Sequence, residues 1–418
     1  MAIDSVLQSL DMNRGSSLLF FILLLLMSSC EHDTGGSDIV PCLEKGDTAT
    51  HTLVVYMMAE NSLDYYVSAD CREIEEGVAS LPSDGRLFLF IDDRGNPRLL
   101  QYCRDSSGEV GCSAIPLFDD EVCSSDPNVF ATVMERVLSD YPTEELDLVM
   151  WSHGDGWLRG TSADIPKRSI GIDNEKNTYS DNGVITIEIE QLASVLEGLP
   201  VKVNRLMFDA CLMQCIEVTY ALRNSVNWII ASPAEIPGPG APYQSVVPLF
   251  FDKNGSVEDI IDVYKGYYDG NANGVVLSCV DTRCLQELAD STRGYVNKYF
   301  LSSKKREYID VFSYLAGGFV NSKFAYPCYY DMNAIMKKYL AADEYVAWKS
   351  VFDKVVVYQV ASPAWWSAIR SSHFMVNMNI FSGVSLYMPQ PGSRNEKLNA
   401  EFSTTEWYNA VGWDTAGW

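Results

Sequence analysis

The chain has 418 residues, of which 47% are hydrophobic, 12% aromatic and 21% charged. That composition builds a buried core, in one large domain or two ordinary ones, and excludes a disordered or low-complexity chain. With 31 basic against 56 acidic side chains the net charge is −25, which disfavours nucleic acid as a partner and suits cationic peptides.

The first feature is an unbroken apolar run, Leu18 to Met27, of ten residues. A membrane-spanning helix needs about 20, so this run is too short to span. Arg14 precedes it and Ser28-Ser29-Cys30 follow, the order of a secretory signal, and Met12 begins a segment that fits this pattern better than Met1. Leu26-Met27-Ser28-Ser29-Cys30 resembles a bacterial lipobox, which implies that Cys30 is lipidated and becomes the mature N-terminus; an ordinary signal peptide with an incidental cysteine is the alternative. Residues 31–50, rich in Asp, Gly, Ser and Thr, read as a flexible tether. The expectation is an exported protein of the bacterial cell envelope, held to a membrane by lipid, periplasmic or on the outer surface. The divisions that follow are a signal over 1–29, a tether over 30–50, a core over 51–290, and a C-terminal part over 291–418 that completes or packs on the core.

Beyond the tether, Thr52–Met58, Arg86–Asp92, Leu146–Trp151, Arg205–Phe208 and Asn227–Ala231 are apolar runs of strand length. Helical stretches lie between them, at Leu63–Ala79, Pro127–Leu138 (with Asp126 as a cap), Ile189–Leu196 and Leu212–Leu222. Buried strands alternating with helices predict an α/β sandwich, with six strands at the centre of a mostly parallel sheet and helices on both faces. Later, Val275–Val280 and Gly383–Met388 read as strands, and Asp331–Ala342 and Asp343–Gln359 as helices. The 11 cysteines include no CxxC pair, so no metal site is expected, and no disulfide pairing can be deduced from exported cysteines alone.

The four histidines are His32, His51, His153 and His373. Only His153 directly follows a buried strand in a glycine-rich loop, Trp151-Ser-His-Gly-Asp-Gly-Trp157. The C-terminal ends of strands are where active sites collect in open α/β sheets. A loop-capping histidine is the plainer reading. Cys211 ends a second strand in Phe208-Asp-Ala-Cys211, with the helix expected to start at once. A helix N-terminus and a nearby imidazolium would both favour its thiolate, the nucleophilic form. The plainer reading is a small core hydrophobe, which suits Cys215. The cysteine follows the histidine by 58 residues, each behind its own strand, which is the chain order of caspase-type proteases.

Trp151–Trp157, Asp209-Ala-Cys-Leu-Met213 and Ala231-Ser-Pro-Ala-Glu-Ile-Pro-Gly-Pro-Gly240 together resemble segments of clostripain-family cysteine peptidases. So do Val54-Val-Tyr-Met-Met-Ala-Glu-Asn-Ser-Leu-Asp64 and Phe381-Ser-Gly-Val-Ser-Leu-Tyr-Met-Pro389. The resemblance implies a caspase-like three-layer fold and a monomer that cleaves proteins or peptides after a basic residue. It further implies a dyad of His153 as general acid/base and Cys211 as nucleophile, with backbone N–H groups of Gly154 and Cys211 as oxyanion donors. Asp209 matches the acidic residue associated with a basic P1 side chain, and a buried structural carboxylate is its alternative. Self-cleavage near Lys167 and Arg168 is a further implication, with Arg168 as an uncut core residue on the other side. Relatives that use calcium direct attention to Asp173-Asn-Glu-Lys-Asn177 and Asp181, but Thr178 stands where a calcium loop's glycine belongs, so no cofactor is expected. No G-x-S-x-G or H-E-x-x-H occurs, which argues against serine hydrolases and zinc peptidases. An envelope scaffold with a vestigial thiol is the competing class.

Overall fold

The computed structural model describes residues 44–158, 169–172, 179–180, 183–184, 186–270, 272–303, 311–314, 329–368, 371–376, 378–379 and 381–418. Their centre is a nine-stranded sheet. In chain order its strands are β1 (Ala49–Met58), β2 (Gly85–Asp92), β3 (Arg98–Arg104), β4 (Val110–Ile115), β5 (Thr143–Trp151), β6 (Val203–Asp209), β7 (Val226–Ala231), β8 (Val276–Asp281) and β9 (Val356–Ala361). Across the sheet they run β9-β8-β7-β6-β5-β1-β2-β3-β4. The five strands from β7 to β2 are parallel, and β8 adds an antiparallel sixth. The expected six central strands are these; β9 extends one flank and the β3–β4 hairpin the other, all antiparallel.

Parallel strands covered on both faces must be apolar on both, and every residue of β2 is buried. Alternate residues of β1 feed two separate cores: Val54, Tyr56 and Met58 into one, Leu53, Val55 and Met57 into the other. The second core is closed by α1 (Asp64–Val78), α5 (Tyr243–Phe251) and α6 (Val257–Tyr267). The first is closed by α2 (Pro127–Asp140), α3 (Ile189–Glu197), α4 (Ile216–Ala221) and α7 (Leu285–Tyr299). The three-layer sandwich follows from this division. α2 starts where the sequence placed it, with Asp126 accepting from the Asn128 N–H and Pro127 in the first turn.

The C-terminal helices α8 (Met332–Tyr339), α9 (Ala342–Val355), α10 (Ser393–Phe402) and α11 (Glu406–Val411) add their apolar faces to the first core. Trp157, just past β5, packs 5.0 Å from Tyr387 and 5.8 Å from Phe402 between ring centroids. Among the described residues no helix is long and apolar enough to cross a membrane.

Four expectations change. The stretch Asp343–Gln359 is not one helix: α9 ends at Val355, and the β-branched run that follows becomes β9. Gly383–Met388 is not a strand of the main sheet; only Ser385–Leu386 pairs, with Tyr330–Asp331. The tether overlaps the fold at its end, because β1 already begins at Ala49. Finally, Leu212–Leu222 is helical only over α4, Ile216–Ala221. Leu212 sits in the left-handed region at φ 63°, and the N–H groups of Leu212 and Gln214 donate to the carbonyls of Ala234 and Ser232. Those bonds hold residues 211–214, which begin as a turn, beside the chain leaving β7.

Candidate active site

β5 and β6 are parallel neighbours with Trp151 opposite Asp209. His153 and Cys211 each lie two residues beyond that pair, so the sheet brings them to one rim. Both line a cleft of about 640 Å³.

The His153 Nε2 lies 2.8 Å from the Ser62 Oγ, on the loop between β1 and α1. The sequence had supplied no partner for this ring. The signal was available, because β1 is parallel to β5 and the loop leaving it reaches the same rim.

Cys211 is half-buried, and its Sγ accepts from the Ile236 N–H at 3.4 Å. Burial pushes the thiol up to about 12, and the carboxylates of Glu235, Asp155 and Asp209 add to the rise against the Ile236 bond. The expected lowering by a helix N-terminus is overturned, since α4 starts five residues on and its first turn is not at the sulfur. That upward direction favours the thiol form of Cys211 over the thiolate. Cys215, expected inside the helix, is the residue that precedes it and is wholly buried.

Among the described residues the backbone N–H groups of Gly154 and Cys211 make no hydrogen bond. Both residues line the cleft.

Asp209 is buried beneath the cleft. Its Oδ2 accepts from the Ala241 N–H (2.9 Å) and the Tyr243 hydroxyl (2.7 Å), and its Oδ1 from the Tyr264 hydroxyl (2.7 Å). Burial raises its pKa against these three donors. A Cβ on Gly240, at φ 66°, would lie 2.4 Å from Oδ2, so glycine keeps that oxygen uncovered. The carboxylate thus has the bonding of a structural group and also borders the cleft. Asp155 and Glu235 border it as well, and no lysine or arginine does among the described residues. Tyr243 on α5 and Tyr264 on α6 were missed, since nothing local marks a tyrosine that folds back onto a strand end.

Behind Asp209, Asp70 on α1 is buried and bonded by the Trp151 indole; burial first, then the Asp209 and Glu73 carboxylates, lift its pKa to about 8. At the opposite rim, His51, Glu145 and Asp147 hold ligand-type atoms within 4.8 Å of one another. The Arg205 guanidinium already bonds Asp147 at 2.9 Å there, and His51 does so at 2.7 Å, so the cluster is a filled ion-pair network.

Cys30, Lys167, Arg168, Asp173–Asn177 and Asp181 lie outside the described residues. Cys103 is disulfide-bonded, and the other described cysteines are free.

The Clostripain family model matches residues 55–418. The chain is 25% identical over 224 residues to clostripain of Hathewaya histolytica, covering 47% of this chain and 41% of that relative, so it spans less than half the relative's length. A solved secreted C11 cysteine protease from Bacteroides thetaiotaomicron, bound to an irreversible peptide inhibitor, superposes with TM-score 0.73 at 29% identity, over 88% of this chain and all of that one. An inactive zymogen C11 protease from Parabacteroides distasonis gives TM-score 0.72 at 26% identity, over 87% of this chain and 99% of that one. With the histidine and cysteine on one rim of a caspase-like sheet and the match running to the last residue, the chain belongs to the clostripain family.

Proposed function

We propose that this protein is a cysteine endopeptidase that cleaves after arginine or lysine with His153 and Cys211. The observation that carries the reading is the pairing of β5 with β6, which sets both side chains over a cleft bordered by carboxylates. In the first step His153 takes the Cys211 proton as Sγ attacks the scissile carbonyl carbon. The oxyanion sits on the N–H groups of Gly154 and Cys211. Collapse breaks the C–N bond, His153 protonates the leaving amine, and an acyl-enzyme remains. Water, deprotonated by His153, then releases the acid and restores the thiol.

Selectivity for a cationic side chain follows from Asp155, Asp209 and Glu235 at the cleft, with Asp209 nearest the floor as the partner for the P1 cation. A planar guanidinium uses two carboxylate oxygens at once, which favours arginine over lysine. Export and a lipid anchor at Cys30 belong to the same reading, supported by the Cys103 disulfide and by relatives described as secreted. Self-cleavage at Lys167 or Arg168 is its regulatory part.

Matched peptides with Arg, Lys, Asn or Asp before the scissile bond test the proposal. Cleavage after Arg and Lys, lost in Cys211→Ala together with labelling by an arginine-directed ketone, is the expected result. A wild-type protein that binds but cuts none of them is a scaffold, and the proposal fails.

A further inference from the structure

β8 is antiparallel to β7, and β9 to β8, so β8 begins and β9 ends at the rim that carries Cys211. Just past β9 the chain folds back as a hairpin, β10 (Ala364–Ser367) paired with β11 (Ser372–Met375). The hairpin is fastened to the loop that leads into β8. The Ser362 N–H donates to the Val275 carbonyl at 2.8 Å, and the Trp366 N–H to the Asn273 carbonyl at 2.6 Å. Gly274, at φ 61°, allows the approach: a Cβ there would lie 1.9 Å from the Ala364 carbonyl oxygen.

Successive residues of a strand face opposite ways, and β10 divides two tryptophans accordingly. Trp365 is wholly buried, its ring 5.7 Å from Phe374 and 6.0 Å from Phe312. Trp366 faces outward, 38% exposed, its ring edge-on to His373 at 4.9 Å. A lone exposed aromatic on an open surface needs no explanation. This one lines the same cleft as His153 and Cys211, together with the half-buried Ile236, Pro237 and Pro239 of the chain leaving β7. An apolar wall in a concave site suits an apolar side chain. Sheet order decides which half of a bound peptide meets it. His153 must reach the leaving amine, and its strand β5 flanks β6 on one side, while β7, β8 and β9 lie on the other. The acyl half of the substrate therefore runs from Cys211 toward the hairpin.

Resting on the peptidase reading, we propose that Trp366 is a specificity-determining residue: with Ile236, Pro237 and Pro239 it forms a subsite for an apolar side chain at one of the three positions preceding P1. The basic P1 side chain and this apolar one are then read by different parts of one cleft. The substrates are chain segments in which a hydrophobic residue shortly precedes arginine or lysine.

The test uses the full chain and peptides with arginine at P1. Each carries leucine, or the uncharged and similarly sized asparagine, at P2, P3 or P4, and in a control set at the two positions after the scissile bond. At one acyl-side position kcat/KM should favour leucine by about tenfold or more, the scale of burying one aliphatic side chain. Trp366→Ala should bring that ratio to within about twofold, and Trp366→Phe should keep most of it. Because the ratio compares two peptides on one preparation, a partly misfolded variant does not alter it. Three results overturn the proposal: no leucine preference before P1, a preference that survives Trp366→Ala, or a Trp366-dependent preference only after the scissile bond. If the wild type cuts no peptide, fluorescence anisotropy of the same labelled pairs gives the ratio as Kd values. Failure of the peptidase reading and failure of this subsite are thus separate results.

Discussion

A methyl group placed on Gly154 would sit 2.9 Å from the carbonyl oxygen of Cys211 and 2.8 Å from the Met213 sulfur. The histidine loop and the cysteine loop touch through a glycine because no side chain fits between them. Gly154→Ala should push the loops apart by some tenths of an ångström and misdirect both an oxyanion donor and the imidazole. We expect kcat to fall roughly 100-fold, the scale of small misplacements in a catalytic constellation, with KM changed far less. Peptide kinetics alongside a thermal melt check this, and a variant with wild-type kcat refutes it.

The thiol at Cys211, raised to about 12, should behave as a resting nucleophile. Its alkylation by iodoacetamide is expected to climb about tenfold per pH unit from pH 7 to 10 without a plateau, because only the thiolate reacts. Mass-spectrometric mapping follows the site, with buried Cys215 as the unreactive internal control. A plateau below pH 8 would mean a preformed ion pair.

Asp209 offers a split result. Tyr264→Phe deletes the donor to its Oδ1 and should cost about 1–3 kcal/mol in urea unfolding, as buried polar groups do on losing a partner. Asp209→Asn should lower kcat/KM for arginine peptides by about 2 kcal/mol or more, the range for truncating one side of a desolvated charge pair. Equal losses for arginine and uncharged P1 peptides would assign Asp209 to structure alone.

Asp70 makes stability depend on pH in the direction opposite to a salt-bridged carboxylate. Its pKa rises from 3.8 to about 8 in the folded protein, so between roughly pH 4 and pH 8 the unfolded chain holds fewer protons there. Stability conferred by the protonated form is complete at the low end and is lost as pH rises, by at most about 1.4 kcal/mol per unit. Asp70→Asn, which keeps an acceptor for the Trp151 indole, should therefore gain stability over the wild type at pH 8 relative to pH 5. Urea unfolding at the two pH values measures it; a constant difference defeats the argument.

The parallel centre was readable because strands buried on both faces must be apolar throughout, and β1, β2, β5, β6 and β7 all are close to that. The rule that strand ends collect function then led to His153 and Cys211. The flanking hairpin was not readable: Arg98 and Arg104 at the ends of β3, and the exposed residues of β4, interrupt the apolar pattern where water reaches, and the buried Gln101 breaks it within β3. Residues 212–215 misled the reading for a different reason. Their apolar run suits a helix, but the bonds that keep them out of one go to Ser232 and Ala234, on a segment no local pattern connects to them. Ser62 was hidden because a lone loop serine carries no chemistry until a fold sets it against an imidazole.

The ladder from Asp147–Arg205 to Trp151–Asp209 joins the stretch before the histidine to the stretch before the cysteine by main-chain bonds, with the Arg205–Asp147 side-chain bond at one end. Breaking any peptide link in the intervening chain leaves that seam untouched. Nicked material would then elute from a sizing column as a single particle and separate into two bands only once denatured.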